Sequence, residues 1–145
     1  MHYDHISFHL DENYPPGLPE SHAAHHMGYY YAWAASQNLH SPAAAALPGF
    51  SQLQNGTLSG TDFVLKQLGG GLDETCFNDL GKRFTLYYYY DEEEGYGKFI
   101  EDYFQTLGLE NNRDFYRTPD SRSQQAKLNA AFQVAFERWQ QSLAD

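Results

Sequence analysis

The side chains best suited to chemistry crowd the start of the chain. All seven histidines lie within the first 40 residues, and the stretch HAAHH at 22–26 sets His22 and His26 four residues apart. On a helix that spacing places two imidazoles on one face, where they can share a metal ion. His9 and Asp4 are the candidates for a third ligand, provided the fold brings them near. The helical zinc-hydrolase pattern needs Glu directly after the first histidine to serve as base, and Ala23 stands in that place. On this signature no metal or other cofactor is expected. His9, His22 and His26 are the candidates should one bind.

Other reactive groups lack their usual companions. Cys76 is the sole cysteine and has no fixed basic neighbour to activate it, which reads as a buried structural thiol. LGGGL at 68–72 has neither the Lys-Ser/Thr of a phosphate-binding loop nor dinucleotide-binding spacing, so it is a turn. Nothing singles out a catalytic pair of carboxylates, and the expectation is a protein that is not an enzyme.

The run YYYYDEEE at 87–94 offers recognition chemistry instead. A helical residue turns by about 100°, so four consecutive tyrosines cannot share a face. On the stripe of Phe77, Leu80 and Phe84, Tyr87 and Tyr88 continue inward, Tyr90 lies at the margin and Tyr89 points away. Asp91 with Glu94 fits a helix cap. Tyr89, Tyr90, Glu92, Glu93 and Glu101 remain as the candidate partner-binding set.

The elements that must position these groups are mostly helical. Residues 5–10 alternate polar and apolar, which predicts a short strand or extended arm. DENYPPGLPESH must be a loop. Ser21 is the expected cap of a helix running to about Leu39, with Gly28 inside it to admit a close neighbour. Ser41-Pro42 opens a short helix, Ser59 or Thr61 caps another, and Asp73 the next. Phe99, Ile100, Tyr103, Phe104 and Leu107 form a clean helical stripe. Residues 113–118 read as extended, and a last helix runs from about Asp120 to Leu143. The expectation is a mainly α, single-domain helical bundle over 1–145. It has about five helices and one or two short N-terminal or peripheral strands. Residues 1–20 form an extended arm and Pro-rich loop; 21–145 form the helical body.

Composition narrows the partners. The 145 residues carry a formal charge of −10, which repels nucleic acid and anionic membrane surfaces and attracts basic proteins. No apolar run is long enough to cross a bilayer. The opening MHYDHISFHL lacks the basic and apolar regions of a secretory signal. With a lone cysteine, these features point to the cytoplasm.

YDHISFH and HMGYYYAWAASQNL together resemble a family of small acidic bacterial proteins of unknown function. That family opens Tyr-Asp-Asp-x-Ser-Trp-His and continues, after a proline-rich loop, with a helix bearing His-x-Gly-x-x-x-Ala-Trp. Tyr3, Asp4, Ser7 and His9 match the first pattern, while His5 and Phe8 depart from it. His26, Gly28, Ala32 and Trp33 match the second. Phe84, Tyr88 and Tyr89 resemble a Phe-x-x-x-Tyr-Tyr element, and Asp102 with Tyr103 an Asp-Tyr pair. The resemblance implies a shared fold and no known activity. By analogy with such small acidic proteins, the leading expectation is an immunity or antitoxin-like protein that binds a basic bacterial toxin. The alternatives are a metal-binding protein or metal-dependent enzyme using the N-terminal histidines, and a small self-associating scaffold or regulatory domain.

Overall fold

The computed structural model describes residues 2–90 and 97–144. The fold is mainly α, with two short strands. Strand β1 (His2–His5) pairs antiparallel with β2 (Gly71–Asp73), with an irregularity between His2 and Asp4. Both Tyr3 and Asp4 are buried as a result. Gly71 is required here, since a Cβ on it would stand 2.8 Å from the Asp4 carbonyl oxygen.

Helix α1 (His25–Ser36) is the axis of the molecule, and all but Ala32 and Ser36 in it are buried. A helix apolar on every side must be enclosed on every side. Its polar tips are met individually. Tyr31 donates to the Cys76 carbonyl, Tyr29 to that of Pro119, and the Trp33 indole to Gln133. Helices α2 (Pro42–Ala45), α3 (Phe50–Asn55) and α4 (Gly60–Gln67) lie along one side. Ser41 caps α2 and Ser59 caps α4, as their sequence positions predict. Gly28 meets the α4 start backbone to backbone: a Cβ on it would come within 2.3 Å of the Thr61 nitrogen. Helices α5 (Asp79–Tyr88), α6 (Gly97–Leu107) and α7 (Arg122–Ala144) complete the enclosure with Phe84, Phe99, Leu128, Phe132 and Trp139.

Five expectations need correction. Asp73 caps only a 3₁₀ turn over Glu74–Cys76, while Asn78 caps α5. The strand occupies His2–His5 and not 5–10, because the His5 ring accepts from the Ser7 backbone and starts a 3₁₀ turn over Ile6–Phe8. Ser21 does not cap a long helix: residues Glu20–Ala24 form a 3₁₀ turn that precedes α1. Residues 113–118 are also not extended. Asn111 accepts from the Arg113 backbone and winds Asn112–Arg117 into a 3₁₀ helix.

The tyrosine run is rotated from its expected setting. Tyr88 is buried as predicted, but Tyr87 is 40% exposed and Tyr89 is fully buried. The inward arc of α5 is centred on Gly81 and Thr85, which an apolar stripe overlooks. Gly81 lies inward because the Leu39 carbonyl approaches it so closely that a Cβ would sit 2.2 Å away. Thr85 is buried on the Tyr30 hydroxyl. From Thr85, Tyr89 is one turn on and faces the core.

Candidate functional site

Asp4 is the centre of the site, and four elements converge on it. The strand pairing turns its carboxylate inward, where none of it is exposed. The 3₁₀ turn after β1 carries His9 back over it. The first turn of α1 supplies His26, and the end of α5 supplies Tyr89. Asp4 Oδ1 accepts from His9 Nε2 at 2.7 Å and from the His5 backbone nitrogen at 2.8 Å. Asp4 Oδ2 accepts from His26 Nε2 at 2.8 Å and from the Tyr89 hydroxyl at 2.6 Å. Four donors meet the four acceptor directions of one carboxylate.

The charge state follows from this enclosure. Burial alone pushes the Asp4 carboxyl up, but His26 and then His9, by charge and by hydrogen bonding, outweigh it and hold it well below the usual carboxylate range. Asp4 is therefore ionised at neutral pH. Burial pushes His26 down from its ordinary value, and Asp4 opposes this only in part. His26 is then a neutral imidazole whose proton sits on Nε2, facing the carboxylate. Its Nδ1 keeps a lone pair and has no hydrogen-bond partner among the described residues, though it is buried.

His9 continues the network outward. Its Nδ1 lies 2.6 Å from the Tyr116 hydroxyl, so Asp4, His9 and Tyr116 form a chain of carboxylate, imidazole and phenol. Tyr116 is held in place by other histidines. His22 Nδ1 donates to the Tyr116 carbonyl at 2.6 Å, and His25 Nδ1 to the Thr118 carbonyl at 2.8 Å. Beside this network lies a cavity of about 350 Å³ lined by Phe8, His9, His26, Ile100, Phe104, Asn112, Phe115 and Tyr116.

The predicted metal candidates separate. His9 and His26 come together on Asp4; His22 does not join them. The expected face needs α-helical rotation from 22 to 26, but His22 stands in the 3₁₀ turn, where residues three apart eclipse. Its ring therefore lies against that of His25, tilted by 35° with 4.2 Å between centroids.

The partner-binding set also disperses. Tyr89 lies inside, bound to Asp4, which corrects the expectation that it faces solvent. Tyr90 is half-buried, edge-on to Tyr3 at 5.8 Å. Glu101 is exposed on α6. Glu92 and Glu93, like Asp91 and Glu94, lie outside the described residues.

The residues that carry the family resemblance fall into two groups. Tyr3, Gly28, Trp33 and Tyr103 build the core, and Asp102 accepts from the Tyr88 hydroxyl at 2.5 Å. Asp4, His9, His26 and Tyr89 build the site. Ser7 is exposed and braces the His5 ring, 2.8 Å from its Nδ1. Tyr116 was not among the predicted residues, and an aromatic within DFYR carries no sequence signal of its role. Cys76 is buried with its thiol pushed up to about 11 by desolvation, which leaves it unreactive.

No described helix is long and apolar enough to cross a membrane. No curated protein and no solved structure matches the chain. Residues 2–118 match one family, described as a domain of unknown function (DUF7832), and that stretch spans the strand pair, α1 to α6 and every residue of the Asp4 network. The chain therefore belongs to this family of unknown function.

Proposed function

We propose that the protein binds a divalent transition metal, zinc by the chemistry of the donors, through Asp4, His9 and His26. The observation that carries this reading is their mutual placement: one ligand atom from each lies within 4.8 Å of the others. Two imidazoles and a carboxylate are a common zinc donor set. The charge balance also favours it. Asp4 buries a full negative charge against a neutral His26, and a dication offsets that charge directly. The flanking contacts suit ligand support, since the Tyr89 hydroxyl orients Asp4 and Tyr116 contacts the far nitrogen of His9.

Binding exchanges the Nε2 protons for the metal, so affinity rises with pH. The test is calorimetric titration of tag-free, chelator-treated protein with zinc, paired with elemental analysis. One zinc per chain is expected, with binding lost in His9→Ala and His26→Ala. A chain that takes up no stoichiometric metal and melts identically with and without chelator overturns the reading.

A second reading, the immunity or antitoxin-like protein, rests on charge. The formal charge is −10, and exposed apolar and aromatic groups lie near one acidic side chain. Leu86 and Tyr87 are exposed on α5, Lys98 sits 4.5 Å over the Tyr87 ring, and Glu101 follows one turn along α6. Here Tyr87 replaces Tyr89 as the aromatic contact, with Glu101 and the half-buried Tyr90 kept from the sequence-predicted set. A basic toxin encoded next to this gene is the expected partner, bound at micromolar concentration or better and weakened by salt. Failure of every neighbouring product to co-purify refutes this reading and leaves the metal site untouched.

A further inference from the structure

We infer that the groove over the uncovered edge of α1 is a binding site for a short zwitterionic peptide of two or three residues, gripped by its two charged ends. The groove shares no residue with the Asp4 network or with the cavity beside it, so the inference stands apart from the zinc reading.

The enclosure of α1 is open at Ala32 and Ser36, which lie four residues apart on one helix face. Both form the floor of a cavity of about 530 Å³. One wall is the end of α3, the turn after it and the start of α4. The other is the start of α7 with the two residues before it. The volume is that of a cube about 8 Å on edge, and extended chain advances by about 3.3–3.6 Å per residue, so two or three residues span it.

Charge sets the class of guest. Asp62 on the α4 wall, and Asp120 and Arg122 on the α7 wall, all border the cavity. None of these three side chains forms an ion pair or a hydrogen bond among the described residues. Opposite charges therefore stand across one cavity without meeting. A guest with an ammonium and a carboxylate pairs with both, the ammonium on Asp62 and the carboxylate on Arg122. A purely anionic guest meets two acids and a chain of formal charge −10. A purely cationic guest leaves Arg122 unmatched beside it. No lining residue is aromatic, so an apolar ring finds no stacking partner.

The walls also suit the peptide bond between those ends. Gln54 Nε2 donates to the Ala35 carbonyl at 3.1 Å, and Gln125 Nε2 to the Tyr29 carbonyl at 3.0 Å, both on α1. Each amide is thus held by its nitrogen, and its Oε1 accepts no hydrogen bond among the described residues. Gln54 is exposed and Gln125 half-buried, so a guest in the groove can reach them. Acceptors held in place before binding cost little ordering when a peptide N–H arrives.

L-Ala-L-Ala, its N-acetyl form and its C-terminal amide test this, because each blocked form lacks one charge. Isotope-labelled, full-length protein is titrated with each, in chelator, and followed by NMR at the side-chain amides of Gln54 and Gln125. L-Ala-L-Ala is expected to bind at millimolar concentration or better. Each blocked form should bind about fivefold more weakly, the upper worth of a partly exposed ion pair. Arg122→Gln should abolish the preference for the free carboxylate and keep that for the free ammonium. Asp62→Asn should do the reverse. Both residues are exposed, so neither change threatens the fold. Ser36→Trp, checked for native circular dichroism, is expected to fill the floor and block binding. Equal affinity for the three forms means that the ends are not gripped and overturns the proposal. So does the absence of binding by L-Ala-L-Ala at millimolar concentration, or a preference that neither Arg122→Gln nor Asp62→Asn alters. None of these outcomes bears on zinc uptake, which the metal titration reads separately.

Discussion

Replacing Asp4 by Asn removes one charge from the centre of the molecule with almost no change in shape. Asp4 accepts four hydrogen bonds, two per oxygen. An amide oxygen accepts two of them, and the amide nitrogen then confronts two donors. Charge-assisted hydrogen bonds contribute about 1.5–3 kcal/mol each, so losing two removes about 3–6 kcal/mol. For a chain of this size about 3 °C of melting temperature accompanies each kcal/mol, giving a fall of roughly 10–15 °C. Urea unfolding at pH 7.5, in chelator so that no metal contributes, measures this. Glu101→Gln, on the exposed face of α6, serves as control and should stay within about 0.5 kcal/mol. The pH dependence gives a second reading. Asp4 is held below its unfolded value, so its contribution is present above about pH 4 and drains away as acid protonates it. The gap between wild type and Asp4→Asn should therefore begin to narrow below about pH 4 and close only as the pH falls toward the much lower folded-state value. A loss under about 1 kcal/mol at pH 7.5, or a gap that persists unchanged at pH 3, refutes the account of Asp4 as an ionised hub.

The other predictions follow from the same geometry. Tyr89→Phe removes one donor from Asp4 and should cost about 1.5–3 kcal/mol, whereas Tyr87→Phe, on a ring 40% exposed, should stay within about 0.5 kcal/mol; equal losses in urea unfolding would contradict the rotation of α5. His26 is held neutral, its folded value below the ordinary one near 6.5, so its contribution is full above that pH and falls as the pH drops. Wild-type stability should therefore decline more steeply than that of His26→Gln between pH 7 and 5.5, by up to about 1.4 kcal/mol per pH unit, and parallel slopes would refute the neutral assignment. Gly28→Ala should destabilise by about 2 kcal/mol, although alanine is the better helix former by about 1 kcal/mol, because its Cβ meets the Thr61 backbone.

Local rules carried the sequence reading where the determinant was local. The Ser41 and Ser59 caps, the α6 stripe and the close approach at Gly28 each depend on neighbours a few residues away or on one small side chain. The reading failed where a small or polar residue took a core position. Gly81 and Thr85 centre the inner face of α5, yet neither adds to an apolar stripe, so the tyrosines were set about one residue out of phase. The 3₁₀ turn at Glu20–Ala24 escaped notice for a similar reason, since nothing in ESHAA distinguishes it from the α-helix that follows. Asp4, His9 and His26 were legible as candidates by residue type. Their assembly was not, because it depends on contacts that reach 107 residues along the chain, as between His9 and Tyr116.

The Asp4 network explains one thing without any ligand: it clamps the N-terminal arm to α1 and α5. A clamp needs donors around the carboxylate, and His5, His9, His26 and Tyr89 supply them. It does not need a second imidazole nitrogen buried without a partner, which subtracts from the stability that the clamp adds. Nor does it need a cavity against the same two rings, where tighter packing by one larger side chain would stabilise more. An asparagine or glutamine at position 26 could donate to Asp4 without placing an imidazole Nδ1 there. An imidazole at this position fits the metal site proposed above, with its Nε2 as the ligand atom. For that reason His26 is the residue at which the clamp and the proposed metal site can be told apart.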